Sequence, residues 1–281
     1  MRLARLTWIL LFALAALCAR ARPAAAEANP DAAHDFSAAN AAIQRGAYTE
    51  AIDILELLAD RGFVHPDASF NRAVAYVERA RTSSAAPGDL GRAAAALSEV
   101  LILRPNDSDA ENALGRIRAE ISRRHAREGS APVMARPSLG RAVTSLFSEN
   151  TWAILACSGS LLLALGIALN RFIKRTSAEL AGAIGIGLGA LLLVLGAALS
   201  AGARHFRLTS SPAVVVTEEA RLLDENGKPL PQKLGSNADS MTIPEGASVY
   251  VLERRPTLDR VEWGSTRGWV TPGQIQILAT R

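Results

Sequence analysis

The sequence predicts a multidomain chain: an all-α helical solenoid, a two-helix transmembrane hairpin, and a small all-β barrel. Three observations predict it. Residues 31–127 are rich in Ala, Leu, Arg and Glu, with apolar side chains at helical spacing. Trp152 to Leu169 and Leu180 to Ala203 are two long runs without a charge. From Pro212 to the end, short β-rich pieces alternate with turn residues.

The chain opens on the basic residues Arg2 and Arg5, followed by an apolar run from Leu6 to Ala19. Ala24 and Ala26 then supply the small pair of a cleavage site, so residues 1–26 read as a secretory signal peptide. Arg20 and Arg22 after the apolar run leave an uncleaved anchor as the alternative, and either version exports the helical segment behind it. The net charge of +4 comes from this leader: removing its four arginines from 31 basic residues leaves 27, against 27 acidic. A neutral mature chain with no basic cluster among aromatics argues against nucleic acid as a partner. Cys18 lies in the leader and Cys157 in the first uncharged run, so neither an internal disulfide nor a cysteine-rich metal site is expected.

In the helical segment, helices are expected near 31–45 and 66–81, each followed by a second helix. Gly46-Ala-Tyr-Thr-Glu-Ala-Ile opens one pair's second helix and Gly88-Asp-Leu-Gly-Arg-Ala opens the other's. Both resemble the turn and second helix of a tetratricopeptide unit, with Ala39, Ala51, Ala73 and Ala93 as the small residues that let paired helices approach. The distance from Ala73 to Ala93 predicts an enlarged inner turn over Arg81–Gly88. A fifth helix is expected from Ser108, where Ser-Asp-Ala-Glu forms a capping box. Two units plus a cap make a short array, since such units bury their apolar faces on neighbours, so dependence on a partner or on self-association is expected. The inner helices would present Phe36, Asn40, Ile43, Phe70, Val74 and Val77 to a concave groove, as a partner-binding face or as ordinary core.

Residues 128–150 carry Gly129, Ser130, Pro132, Pro137 and Gly140 and read as a flexible tether. A helix rises about 1.5 Å per residue and the hydrocarbon layer is about 30 Å thick, so each uncharged run is long enough to cross a lipid bilayer. The spans are placed at 151–170 and 180–203. The loop at 171–179 carries Arg171, Lys174 and Arg175, as a cytoplasmic loop should. Ala156, Ser160 and Ala164 form a small-residue stripe on the first span, and Gly185 and Gly189 a G-x-x-x-G on the second. Such faces drive helix packing in lipid. No ionisable residue interrupts either run, so the hairpin reads as an anchor and not as an ion pathway.

Residues 212–281 suit a small, partly open barrel. Arg267-Gly-Trp-Val and Glu245-Gly ahead of a Val-Tyr-Val strand resemble a bacterial SH3 domain. That family usually opens the preceding strand with tryptophan, where this chain has Leu258. Tyr250 and Trp263 are candidate ligand-binding aromatics, while Trp269 is expected to plug the barrel. Cell-wall (peptidoglycan) contact is the alternative use of this module.

No catalytic constellation is present. His34, His65, His125 and His205 are scattered, and no phosphate loop, G-x-S-x-G or H-E-x-x-H occurs. No cofactor is expected, and the chain reads as a non-enzyme. In order, the leader, helical pairs, hairpin and β module resemble the BatE-like proteins of the aerotolerance operon. The resemblance spans nearly the whole chain and rests on Ala39-Asn40, Gly46-Ala-Tyr-Thr-Glu-Ala-Ile, Gly88-Asp-Leu-Gly-Arg-Ala, Arg104-Pro-Asn-Asp-Ser-Asp-Ala-Glu-Asn-Ala-Leu and Arg267-Gly-Trp-Val. The chain departs from the family at Ala93-Ala-Ala-Ala-Leu, where the family is more aromatic. The resemblance implies a periplasm-facing, two-pass scaffold of the bacterial inner membrane, linked to stress tolerance. It would work beside von Willebrand-type Bat proteins and a MoxR-type ATPase.

Overall fold

Residues 30–127, 139–173, 176–231 and 241–279 are described by a computed structural model of the chain. The expected signal peptide and residues 128–138 of the expected tether lie outside them. The helical segment comprises α1 (Pro30–Gln44), α2 (Tyr48–Asp60), α3 (Pro66–Arg79), α4 (Asp89–Leu103) and α5 (Ser108–Arg127). Ala39, Ala51, Ala73 and Ala93 are all buried where the pairs meet. The fifth helix is capped one residue earlier than expected. Asp107 accepts the N–H groups of Asp109 and Ala110, both at 3.1 Å, and the Ala110 bond is the main cause holding its carboxyl below the ordinary range.

A buried polar knot ties α2, α3 and α4 together. Arg72 pairs with Glu99 and, at 3.5 Å, with Glu56, while Ser69 Oγ donates to Glu99 at 2.8 Å. The Tyr76 hydroxyl donates to Glu56 at 2.8 Å, and burial, with Glu56 adding to it, holds this phenol well above its usual range. One guanidinium serves two carboxylates, with the Ser69 and Tyr76 hydroxyls as further donors, so neither carboxylate is left unpaired, while Arg72 Nε has no partner among the described residues.

Two apolar helices follow a short one. Within the stretch expected to be a flexible tether, α6 (Leu139–Thr144) forms a helix that packs against the end of the second span. The two expected spans form the helices α7 (Glu149–Phe172) and α8 (Thr176–Thr209), with mean hydropathies of 2.1 and 2.3 over their most apolar windows, and both are long and apolar enough to cross a membrane. Ser148 caps α7 by accepting the Thr151 N–H at 3.2 Å. The second helix runs past the uncharged run through Arg204 and Arg207, and Arg207 reaches back to Glu149 at 2.9 Å.

The last segment folds into β1 (Ser211–Val215), β2 (Glu219–Arg221), β3 (Thr242–Pro244), β4 (Ser248–Arg254), β5 (Asp259–Trp263), β6 (Thr266–Val270) and β7 (Ile275–Ile277). Five strands form an antiparallel sheet in the order β6-β5-β4-β1-β7, and β2 pairs with β3. Leu223 exchanges two backbone bonds with Trp269, joining the chain after β2 to β6 and curling the sheet toward closure.

The helical segment and the sheet share one core. Val214, Val216 and Leu278 sit in the same apolar cluster as Leu90, Ala94, Ile117 and Ile121. Ala93 to Ala96 are fully buried, because α4 is enclosed by α3, by α5 and by β1. Four consecutive alanines suit that position: a larger side chain on any side would hold a neighbour away. The neighbour expected from a partner or a second copy is supplied, on this face, by the chain's own sheet.

Candidate functional site

The expected groove residues lie on adjacent helices. Phe36, Asn40 and Ile43 on α1 and Phe70, Val74 and Val77 on α3 are all half-buried. Ile43, Phe70 and Val77 back onto the main core, and Phe36 onto the smaller cluster of α1 and α2. Asn71 donates from Nδ2 to Asn40 Oδ1 at 2.6 Å, bridging the two helices across this face. Phe36, Ile43, Phe70 and Val77 therefore serve the core with one edge, Asn40 is held by Asn71, and all six side chains keep some exposed surface.

A second concavity forms where helices meet sheet, a cleft of about 840 Å³. Its walls are the enlarged turn (Ala85–Gly88), the start of α4, the end of α5 and the loop Val216–Glu219. Arg92, Arg124, Arg221, His125, Glu218 and Glu245 bring both signs of charge to it. At its floor the Gly91 N–H donates to Glu245 Oε1 at 2.7 Å, placing a carboxylate on the first turn of α4. Burial raises the Glu245 carboxyl above its ordinary range, with Gly91, Arg124 and His125 opposing the shift. His125 Nε2 lies 3.3 Å from the Glu218 carbonyl, a further link between the two halves. The sequence marked the turn as enlarged, but nothing local pointed to the sheet that completes the cleft.

Glycines make the junction close. A Cβ at Gly88 would fall 1.8 Å from the Val216 carbonyl oxygen, and one at Gly91 2.7 Å from that of Val215. Arg118 reaches Ser248 Oγ at 3.2 Å, and the Ala279 N–H reaches Glu99 Oε1 at 3.3 Å, so the segment after β7 clips onto α4.

The β-domain aromatics do not form an open ligand face. Trp263 is buried in the sheet core, contrary to the role expected for it, because its strand turns that face inward. Tyr250 is half-buried beneath Arg141, whose guanidinium carbon lies 3.6 Å from the ring centre. Arg141, on α6, also stacks on Phe206 at 4.6 Å, pairs with Glu262 at 3.2 Å and donates to Ser210 Oγ at 3.3 Å. It joins the end of α8 to the sheet. Reading 128–150 as a tether missed it; the spacing of Leu139, Val143 and Leu146 opposite Arg141 was the available signal. Trp269 is buried, as expected, and Arg255 covers its ring at 4.2 Å.

In the hairpin, Gly185 and Gly189 do face the first span. A Cβ at Gly189 would lie 2.4 Å from the Leu163 nitrogen, and one at Gly185 3.3 Å from the Gly166 Cα. Ala156 meets Gly196, but Ser160 and Ala164 are exposed. The packing stripe of the first span is instead Ala156, Gly159, Leu163 and Gly166. It follows steps of three and four, and the expected stripe of fours drifts off the interface.

Among the described residues, no group of three or more His, Cys, Asp or Glu is placed to hold a metal ion. Comparison with protein-family models, with curated proteins and with solved structures gives no match.

Proposed function

We propose that the chain is a non-enzymatic, two-pass scaffold of a bacterial envelope complex, with its helical and β segments on the outer side of the inner membrane. The observation that carries this reading is the shared core. A sheet that buries Val214 and Val216 among Leu90, Ala94 and Ile121 needs both segments in one compartment, as a hairpin anchor provides. The exported leader and the basic loop support the periplasmic side. The soluble part acts as one platform, and the face of Phe36, Asn40, Ile43, Phe70, Val74 and Val77 is its docking surface for a membrane or periplasmic protein. By the BatE-like resemblance, the partners are von Willebrand-type Bat proteins and a MoxR-type ATPase system. The cell-wall alternative has lost its aromatic face, since Trp263 is core and Tyr250 lies under Arg141.

Photo-crosslinking side chains placed at Phe36 and Val74 in native membranes test the scaffold reading. A discrete adduct with an envelope protein is expected from both, and none from a probe at exposed Arg123. Absence of any adduct from the groove positions contradicts it. Sedimentation of the purified full chain with peptidoglycan would favour the alternative.

A further inference from the structure

The short helix α6 and the turn after it leave an apolar face that nothing among the described residues covers. Leu139, Val143, Leu146 and Phe147 are 86%, 42%, 68% and 55% exposed. The opposite face is buried in the protein through Arg141 and Thr144. Apolar side chains facing out from so well-anchored a helix are costly in water, and their place relative to the spans identifies what receives them.

Two contacts fix the height of α6 along the second span. Thr144 lies against Gly202, where an added Cβ would meet Thr144 Cγ2 at 3.2 Å. Gly140 lies against Phe206, with the corresponding distance 3.7 Å. Gly202 is at the end of the uncharged run, and Arg204-His205-Phe206-Arg207 come soon after it. The helix therefore sits at the level where the apolar span gives way to charge. Shortly after α6 the first span begins. There Phe147 packs edge-on against Trp152 at 5.1 Å, and the Trp152 indole N–H donates to the Thr144 carbonyl at 3.2 Å. Tryptophan and arginine at span ends favour the headgroup boundary, because each has an apolar body and a polar tip.

We propose that Leu139–Phe147 lies in the headgroup boundary of the phospholipid bilayer, with Leu139, Val143, Leu146 and Phe147 in the lipid. This rests on the two-pass reading. An amphipathic segment so placed sinks its apolar face to the acyl boundary and keeps its polar face away from it. Here the polar face carries Arg141, which is bonded to Glu262 and stacked on Tyr250. The segment thus acts as a collar that sets the tilt of the soluble platform on the membrane surface.

Single cysteines at Leu139, Val143, Leu146 and Phe147, in a Cys18→Ser, Cys157→Ser background, would carry nitroxide labels. The full chain is reconstituted in vesicles of phosphatidylethanolamine and phosphatidylglycerol. Ser145→Cys is the water-facing control and Leu161→Cys the mid-span control. The collision ratio of oxygen to a soluble nickel chelate is expected to be several-fold higher at the four apolar positions than at Ser145. Free nickel access at those four positions overturns the proposal by placing them in water. Exclusion of both reagents overturns it by placing a protein over them. Nickel access at Leu161 would instead mean that the two-pass reading itself has failed.

Discussion

Gly88 meets two requirements at once. Its φ of +81° lies in the left-handed region, and the space beside it is filled by the Val216 carbonyl. Gly62 has the same backbone need, at φ +80°, with nothing within 4 Å. Gly62→Ala should therefore cost about 1–2 kcal/mol from backbone strain alone. Gly88→Ala should cost more, since the sheet must also move away from α4. Thermal unfolding of the two variants, with limited proteolysis to detect a loosened sheet, checks the difference. Glu245, nearby, adds a pH dependence. Its raised carboxyl pKa means the docked state holds the proton more tightly than the open chain does. The ionised form therefore weakens docking as pH rises through that raised value. Glu245→Gln keeps an oxygen for the Gly91 N–H without the desolvated charge. It should raise the thermal midpoint at pH 7, with the gain shrinking toward acid pH. Neither residue's role is legible locally, because their partners lie more than a hundred positions away.

Elements are the most legible level where pattern is local. The helical spacing of residues 31–127 and the two uncharged runs appear as helices at the expected places, because one-sided burial writes itself into period and an unbroken apolar run into length. The strand β3 and the helix α6 escape such reading, being three and six residues long. The hairpin seam is half legible: Gly185 and Gly189 stand out as a motif, but the facing stripe on the first span runs one step out of phase with the expected one. That difference can be tested. Gly189→Leu should destabilise the hairpin by on the order of 2 kcal/mol or more, because its side chain meets the Leu163 backbone. Ala164→Leu should change stability by less than about 0.5 kcal/mol, since it faces outward. Denaturation of the purified chain in mild detergent separates the two.

At the scale of the molecule, composition and segment order point to two long apolar helices between a helical and a β segment, but not to the packing of those two segments on each other. Ala93–Ala96 carries the clue, although in the sequence it stands out only as four alanines in a row. An alanine run fully enclosed by helices and sheet marks a close approach from several sides. The platform this makes requires the segments before and after the hairpin to occupy one compartment. Compartment-sensitive reporters inserted at Gly129 and fused after Arg281, in separate copies of the chain, test this most directly. Activity of both on the outer side of the membrane is the predicted result; reporters active on opposite sides would contradict it.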